Sequence, residues 1–227
     1  MHSLETNLNN VRQRIISACT QSGRDPKSVT LVAVSKTVNV ETVQEAFKLG
    51  ITDFGENRVK ELVHKREMVP EARWHMIGRL QTNKVKDVVG TGCLIHSLDR
   101  WNLAEALQKR AEKLDLTVPV LLQVNVAGEK QKAGVQADEV LPFLQSIDQL
   151  YRIRVMGLMT MAPLSDDAEA SRPVFRELAQ LRKRLQQSQI PNVTLQYLSM
   201  GMSQDFEVAI QEGADLVRIG SSIFNAS

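Results

Sequence analysis

Eight runs of aliphatic and β-branched residues recur along the chain, and a stretch of helical periodicity separates each from the next. VTLVAVS (29–35) and VPVLLQVNV (118–126) are the plainest, apolar on both faces and so buried on both sides as strands. Shorter candidates are TDF (52–54), RWHMI (73–77), CLIHS (93–97), RIRVMGLM (152–159), TLQYLS (194–199) and LVRI (216–219). Helices are expected over about 40–49, 56–68, 82–89, 100–114, from near Ala137, over 168–188, and over SQDFEVAIQEG at 203–213. A leading helix at 3–22 carries Leu4, Leu8, Val11, Ile15 and Ala18 on one stripe. Strand–helix alternation argues for a parallel sheet. Eight repeats point to closure into a (β/α)8 TIM-type barrel, one domain over residues 1–227 with an additional N-terminal helix. An open doubly wound sheet is the competing arrangement.

Composition removes several classes of function. With 43% apolar and 24% charged residues and a formal charge of +2, nothing marks a nucleic-acid or membrane partner. Cys19 and Cys93 form neither a disulfide framework nor a metal-ligand spacing, which fits a reducing compartment. The N-terminus MHSLETNLNN lacks the apolar core of a signal peptide, and no run spans a bilayer. A soluble cytoplasmic protein is expected.

In a barrel the reactive groups gather where the strands end. The strands here deliver Ser35-Lys36, Glu56-Asn57, His75 and Gly78, His96 and Ser97, Asn125, Thr160, Ser199, and Arg218 with Gly220. Lys36 emerges from a buried strand, and partial desolvation there would lower its pKa and free the amine to attack a carbonyl. A lysine that caps a strand and snorkels to water is the plainer alternative. SMGMS (199–203) and RIGSS (218–222) are small-residue turns after the last two strands, where barrels often cradle a phosphate on backbone N–H groups. Each turn alone reads as a tight turn, with Ser203 as a helix cap. Together with Lys36 they describe pyridoxal phosphate or a sugar-phosphate aldehyde or ketone. His75 and His96 lack the further ligands of a zinc set, so no metal is expected. Arg182, Lys183 and Arg184 read as a solvated helix face. GRLQTNK (78–84) and GEKQKAG (128–134) are basic loops that could steer an anion but lack the aromatics of a nucleic-acid patch.

LVAVSKT (31–37), FGENRVKE (54–61), WHMIGRLQTNK (74–84), MGLMTM (156–161) and SMGMSQDFEVAIQEGADLVRIGSSIF (199–224) resemble the pyridoxal phosphate homeostasis proteins, the YggS/PROSC group. That family is related to the N-terminal barrel of alanine racemase, and the likeness runs in order along nearly the whole chain. It implies pyridoxal 5′-phosphate held as a Schiff base on Lys36, with Asn57 beside the ring. Ser199, Gly201, Met202, Ser203, Gly220 and Ser221 would surround the phosphate, and Arg218 would face the pyridine nitrogen. Ser221 replaces a threonine common among relatives and keeps the hydroxyl. The resemblance further implies a monomeric carrier that serves vitamin B6 and amino-acid homeostasis. It has apo-enzymes dependent on the cofactor as partners and no robust turnover.

Two enzymatic alternatives stand beside the carrier. A racemase needs a second proton-transfer group on the opposite face of the cofactor. The chain offers only Tyr151, expected at the barrel bottom, and Tyr197, inside a strand, before it ends at Ser227. A class I aldolase needs a carboxylate or second lysine at the mouth, for which Glu56 is the candidate.

Overall fold

A computed structural model describes residues 3–129, 133–163 and 165–225. Its strands are β1 Thr30–Val34, β2 Asp53–Glu56, β3 Arg73–Met76, β4 Leu94–Leu98, β5 Val118–Asn125, β6 Val135–Gln136, β7 Ile153–Met159, β8 Val193–Ser199 and β9 Leu216–Ile219. Its helices are α1 Leu4–Gln21, α2 Val40–Lys48, α3 Val59–Met68, α4 Val85–Val88, α5 Trp101–Leu114, α6 Val140–Ile147, α7 Arg172–Gln186, α8 Phe206–Gln211 and α9 Ser221–Phe224.

The strands run in the order β4-β3-β2-β1-β9-β8-β7-β5, and pairing of β4 with β5 closes the ring. All these pairs are parallel. The closing pair decides for the (β/α)8 barrel against the open sheet. Each expected strand lies within one or two residues of an observed one, while β6, a two-residue strand on the flank of β5, went unanticipated. The helix expected from 203 starts only at Phe206, because Asp205 holds the preceding turn by accepting the Met202 N–H at 2.7 Å.

Side-chain alternation divides the core in two. Residues such as Ala33, Phe54, Trp74, Ile95 and Val217 face outward and pack under the helices in one large apolar cluster. Their neighbours face inward, where Val32, Leu121, Met159 and Leu216 form a small separate cluster. Polar side chains share this interior: Asp53, His75, His96, Ser199 and Arg218 are all buried. The leading helix lays Leu8, Val11, Ile15 and Ala18 against the barrel, and buried Asn7 donates to the Ile223 carbonyl at 3.1 Å. That bond ties α1 to the turn that closes the mouth.

Candidate functional site

At the C-terminal ends of the strands a cavity of about 310 Å³ opens, lined by Lys36, Asn57, Met202, Ser203, Arg218, Gly220 and Ser221 among others. Lys36 follows β1, Asn57 follows β2, Arg218 lies within β9, and Met202, Ser203, Gly220 and Ser221 sit after β8 and β9. The segment after β7 adds Met161, Pro163, Ser165 and Ser171 along one side. A larger cavity of about 770 Å³ lies beyond Asn57, against α3 and the loop bearing Arg79 and Lys84. It contains neither Lys36 nor the two turns, so the smaller cavity is the candidate site.

Lys36 itself is exposed, contrary to the expected desolvation. β1 ends at Val34 and the backbone turns sharply at Thr37, whose φ of 67° is rare for a β-branched residue. Lys36 therefore lines the cavity as an exposed residue.

The two turns are bonded to each other. Ser203 Oγ accepts from the backbone N–H of Gly220 at 3.3 Å and of Ser222 at 3.4 Å. Ser203 is thus a bridge between turns, and the helix-cap reading is set aside. These N–H groups already converge on one oxygen, as an anion cradle requires. Two of the expected residues stand behind the cavity rather than in it. Gly201 carries the carbonyl that accepts the Arg218 N–H at 3.0 Å. Ser199 is wholly buried and accepts from Arg218 Nη1 at 2.5 Å.

Arg218 forms the floor. Its Nη2 donates to the Thr160 carbonyl at 2.8 Å, and burial lowers its pKa to about 10. Arg218 makes no ion pair with Asp215 or Glu207. Asp215 pairs with Arg24 and Arg182, and Glu207 with Arg14. Arg182 consequently leaves the solvated face assigned to it, although Lys183 and Arg184 are exposed.

Not every polar strand-end residue reaches the mouth. His75 and His96 point into the barrel one layer below it. Their facing nitrogens are 2.9 Å apart, and the others reach Asp53 and Ser199, which leaves no ring nitrogen for an ion. Ser97 donates to the Gly78 carbonyl and Asn125 to the Glu129 carbonyl. Glu56 faces outward, where Oε1 accepts from Ser35 Oγ and Lys65 Nζ, each at 2.7 Å. It is therefore not the free mouth carboxylate an aldolase would use. Tyr197 lines a cavity at the opposite end of the barrel with Asp53 and Arg73, and Tyr151 lies exposed before β7. In the basic loop at 128–134, Lys132 lies outside the described residues.

Sequence reasoning passed over Asp205 and Lys65. Asp205 accepts from Met202 N–H and Ser171 Oγ and so shapes the turn after β8. Lys65 is 1% exposed and donates at 2.8 Å to the carbonyl of Ser35, the residue before Lys36. A signal existed: Lys65 falls three residues after buried Leu62, on the apolar stripe of α3.

Residues 2–227 match the family model described as alanine racemase, N-terminal domain. The pyridoxal phosphate homeostasis protein of Aquifex aeolicus is 47% identical over 219 residues, covering 96% of this chain and 95% of its own. The chain belongs to the pyridoxal phosphate homeostasis protein family. A solved member, PipY of Synechococcus elongatus with pyridoxal phosphate bound, is 35% identical with a TM-score of 0.82 over 95% of this chain and 100% of that one. Alanine racemase of Clostridium difficile, at 16% identity, shares the fold alone: TM-score 0.77, over 99% of this chain and 56% of the racemase. Family membership thus joins the racemase-type barrel to the mouth built by Lys36 and the two turns.

Proposed function

We propose that this chain is one barrel domain, residues 1–227, that binds pyridoxal 5′-phosphate on Lys36 as a Schiff base. It holds and delivers the cofactor in the cytoplasm as a monomer, to apo-enzymes that depend on it, without robust turnover of its own. The observation that carries the reading is the convergence of an accessible lysine, two bonded small-residue turns and a buried guanidinium on one cavity of about 310 Å³. That volume lies at the small end of the range for ligand pockets, as suits one compact cofactor. The residues fit the group. The N–H groups of Gly220 and Ser222 and the hydroxyls of Ser203 and Ser221 are donors suited to its phosphate. Asn57 and Met202 border the space for the ring, and Arg218 supplies donors toward the ring nitrogen.

When bound, pyridoxal phosphate supplies an aldehyde carbon that an amine can hold and a ring that can accept electron density. The chain's own residues limit the second property. A guanidinium only donates, so Arg218 favours an unprotonated ring nitrogen and a weaker electron sink. Both tyrosines stand away from the mouth, which supports a carrier over a racemase. Asp205, a carboxylate that lines the cavity, already accepts from the Met202 N–H and Ser171 Oγ, which argues likewise against an aldolase. No helix among the described residues is long and apolar enough to cross a membrane.

The test is an absorbance spectrum of the protein with pyridoxal phosphate before and after borohydride, followed by peptide mapping. A band that borohydride abolishes, with the label on the peptide bearing Lys36, is expected. A label on Lys84 instead would overturn the assignment, and so would alanine racemisation at ordinary enzyme rates of about 1 per second or faster.

A further inference from the structure

Five buried polar side chains from five strands cross the barrel interior in single file. Asp53 Oδ1 is 3.1 Å from His75 Nε2, and His75 Nδ1 is 2.9 Å from His96 Nε2. His96 Nδ1 is then 2.9 Å from Ser199 Oγ, which is 2.5 Å from Arg218 Nη1. The row begins at the far end of the barrel, where Arg73 grips Asp53 through Nε at 2.9 Å and Nη2 at 2.6 Å. It ends at the floor of the mouth cavity, which Arg218 lines. Packing alone would fill this space with aliphatic side chains, as it does at Val32 and Leu121.

One direction of donors satisfies every group in this row. Burial raises the Asp53 carboxyl, but bonds from His75, Arg73 and Thr52 outweigh it and hold the group well below the usual carboxylate range. An ionised carboxylate only accepts, so His75 Nε2 carries a hydrogen toward it. With its hydrogen on Nε2, His75 accepts at Nδ1 from His96 Nε2–H. Burial, helped by His75 and Arg218, holds the His96 pKa well below its ordinary value, so that ring is neutral and accepts at Nδ1. Ser199 must give its hydroxyl hydrogen to His96, which turns its lone pairs to the Arg218 N–H. A hydrogen on His75 Nδ1 as well would reverse the row. Ser199 would then receive two donors, and its own hydrogen would lack an acceptor among the described residues, a costly arrangement in a dry core.

We propose that Asp53, His75 and His96 are positioning residues: a one-way chain of hydrogen bonds that locks Ser199 as an acceptor and so fixes Arg218 at the floor of the mouth. The need arises at Arg218, because among the described residues no carboxylate lies within ion-pair distance of it. Two hydrogen bonds hold the guanidinium, to Ser199 and to the Thr160 carbonyl. A serine hydroxyl is a free rotor that donates or accepts equally well. Only an acceptor behind it, His96 Nδ1, makes it a reliable acceptor in front. The chain stands on the protein alone, whereas its consequence for pyridoxal phosphate rests on the function proposed above.

The experiment separates the two. Long-range ¹H–¹⁵N spectra of the cofactor-free protein at neutral pH should show His75 and His96 both protonated on Nε2 and bare on Nδ1. A hydrogen on Nδ1 of His96, or an imidazolium at either ring, would overturn the chain whatever the protein binds. In the second arm His96→Gln, whose amide can donate toward His75 and accept from Ser199, is compared with His96→Leu by titration with pyridoxal phosphate. His96→Leu should weaken binding about tenfold, the size of one hydrogen bond to a charged group, and His96→Gln should recover most of that loss. Equal affinities for the two would reject the positioning role, and if neither variant folds the tautomers of the unmodified protein decide. No binding to the unmodified protein would instead sink the proposed function and leave the chain to the spectra.

Discussion

A side chain has no place at position 201. The backbone there adopts φ 90°, and a Cβ would lie 2.6 Å from Ala209 Cβ and 2.9 Å from Phe206 Cα. Gly201→Ala combines a disfavoured backbone with overlap against a helix that cannot easily move. A loss of about 2–4 kcal/mol is expected, read as a lower urea midpoint. The turn also carries the phosphate-side prediction. Ser203→Asp places a carboxylate where Ser203 Oγ now meets the N–H groups of Gly220 and Ser222. Like charge against the phosphate should weaken pyridoxal phosphate binding about a hundredfold, as a partly buried charge conflict of a few kcal/mol implies. Ser221→Asp should cost less, because Ser221 is exposed and screened. Unchanged retention in both variants would reject this placement of the phosphate. These residues were legible because small residues, hydroxyls and a strand-end lysine form local patterns in the sequence. The roles of Ser199 and Gly201 behind the cavity were not, since each depends on a residue at least eight positions away.

Elements were legible where periodicity was strong and obscure where a single buried polar contact set the boundary. The long strands β5 and β7 and the helices α1, α5 and α7 follow from apolar spacing. The start of α8 depends on Asp205, and no periodicity reports it. The same limit hid the clip between α3 and the β1–β2 edge. Lys65 and Glu56 are each 1% exposed and 2.7 Å apart, with Lys65 also bonded to the Ser35 carbonyl. Glu56 Oε2 has no partner among the described residues, so the pair already stands near its limit of satisfaction. Lys65→Met would leave a buried carboxylate without its cation, at a cost of about 3–5 kcal/mol. The double variant Lys65→Met with Glu56→Leu removes both charges and should recover much of that loss, since a well-packed apolar pair often equals a buried ion pair. Denaturant unfolding of the three proteins checks this. A double variant no more stable than Lys65→Met would show that the Ser35 bonds, not charge pairing, hold the clip.

At the scale of the whole barrel, the polar row through its centre ties stability to pH. His96 has an ordinary value of 6.5 and is held well below it in the folded protein by burial, with His75 and Arg218 adding to the effect. Below about pH 6.5 the unfolded chain takes up a proton at this position and the folded chain does not, so stability falls as pH falls. Asp53 adds a second decline at lower pH. Its folded carboxyl stays ionised below its ordinary 3.8, so the stability it contributes is present above that value and is lost on further acidification. The row therefore predicts two steps, one starting near pH 6.5 and one near pH 4. One proton of difference corresponds to at most about 1.4 kcal/mol per pH unit. Between pH 6.5 and 5.5 the unmodified protein should thus lose roughly 1 kcal/mol more than His96→Gln, which has no ring to protonate on unfolding. Below pH 4 both should also lose the Asp53 contribution, because both keep that residue, and the unmodified protein stays the steeper of the two for as long as folded His96 remains neutral. Urea unfolding of the cofactor-free proteins at half-unit pH steps measures both limbs. Parallel curves through the upper limb would mean that His96 is as easily protonated in the barrel as in the unfolded chain, and a neutral, one-way row could not then exist.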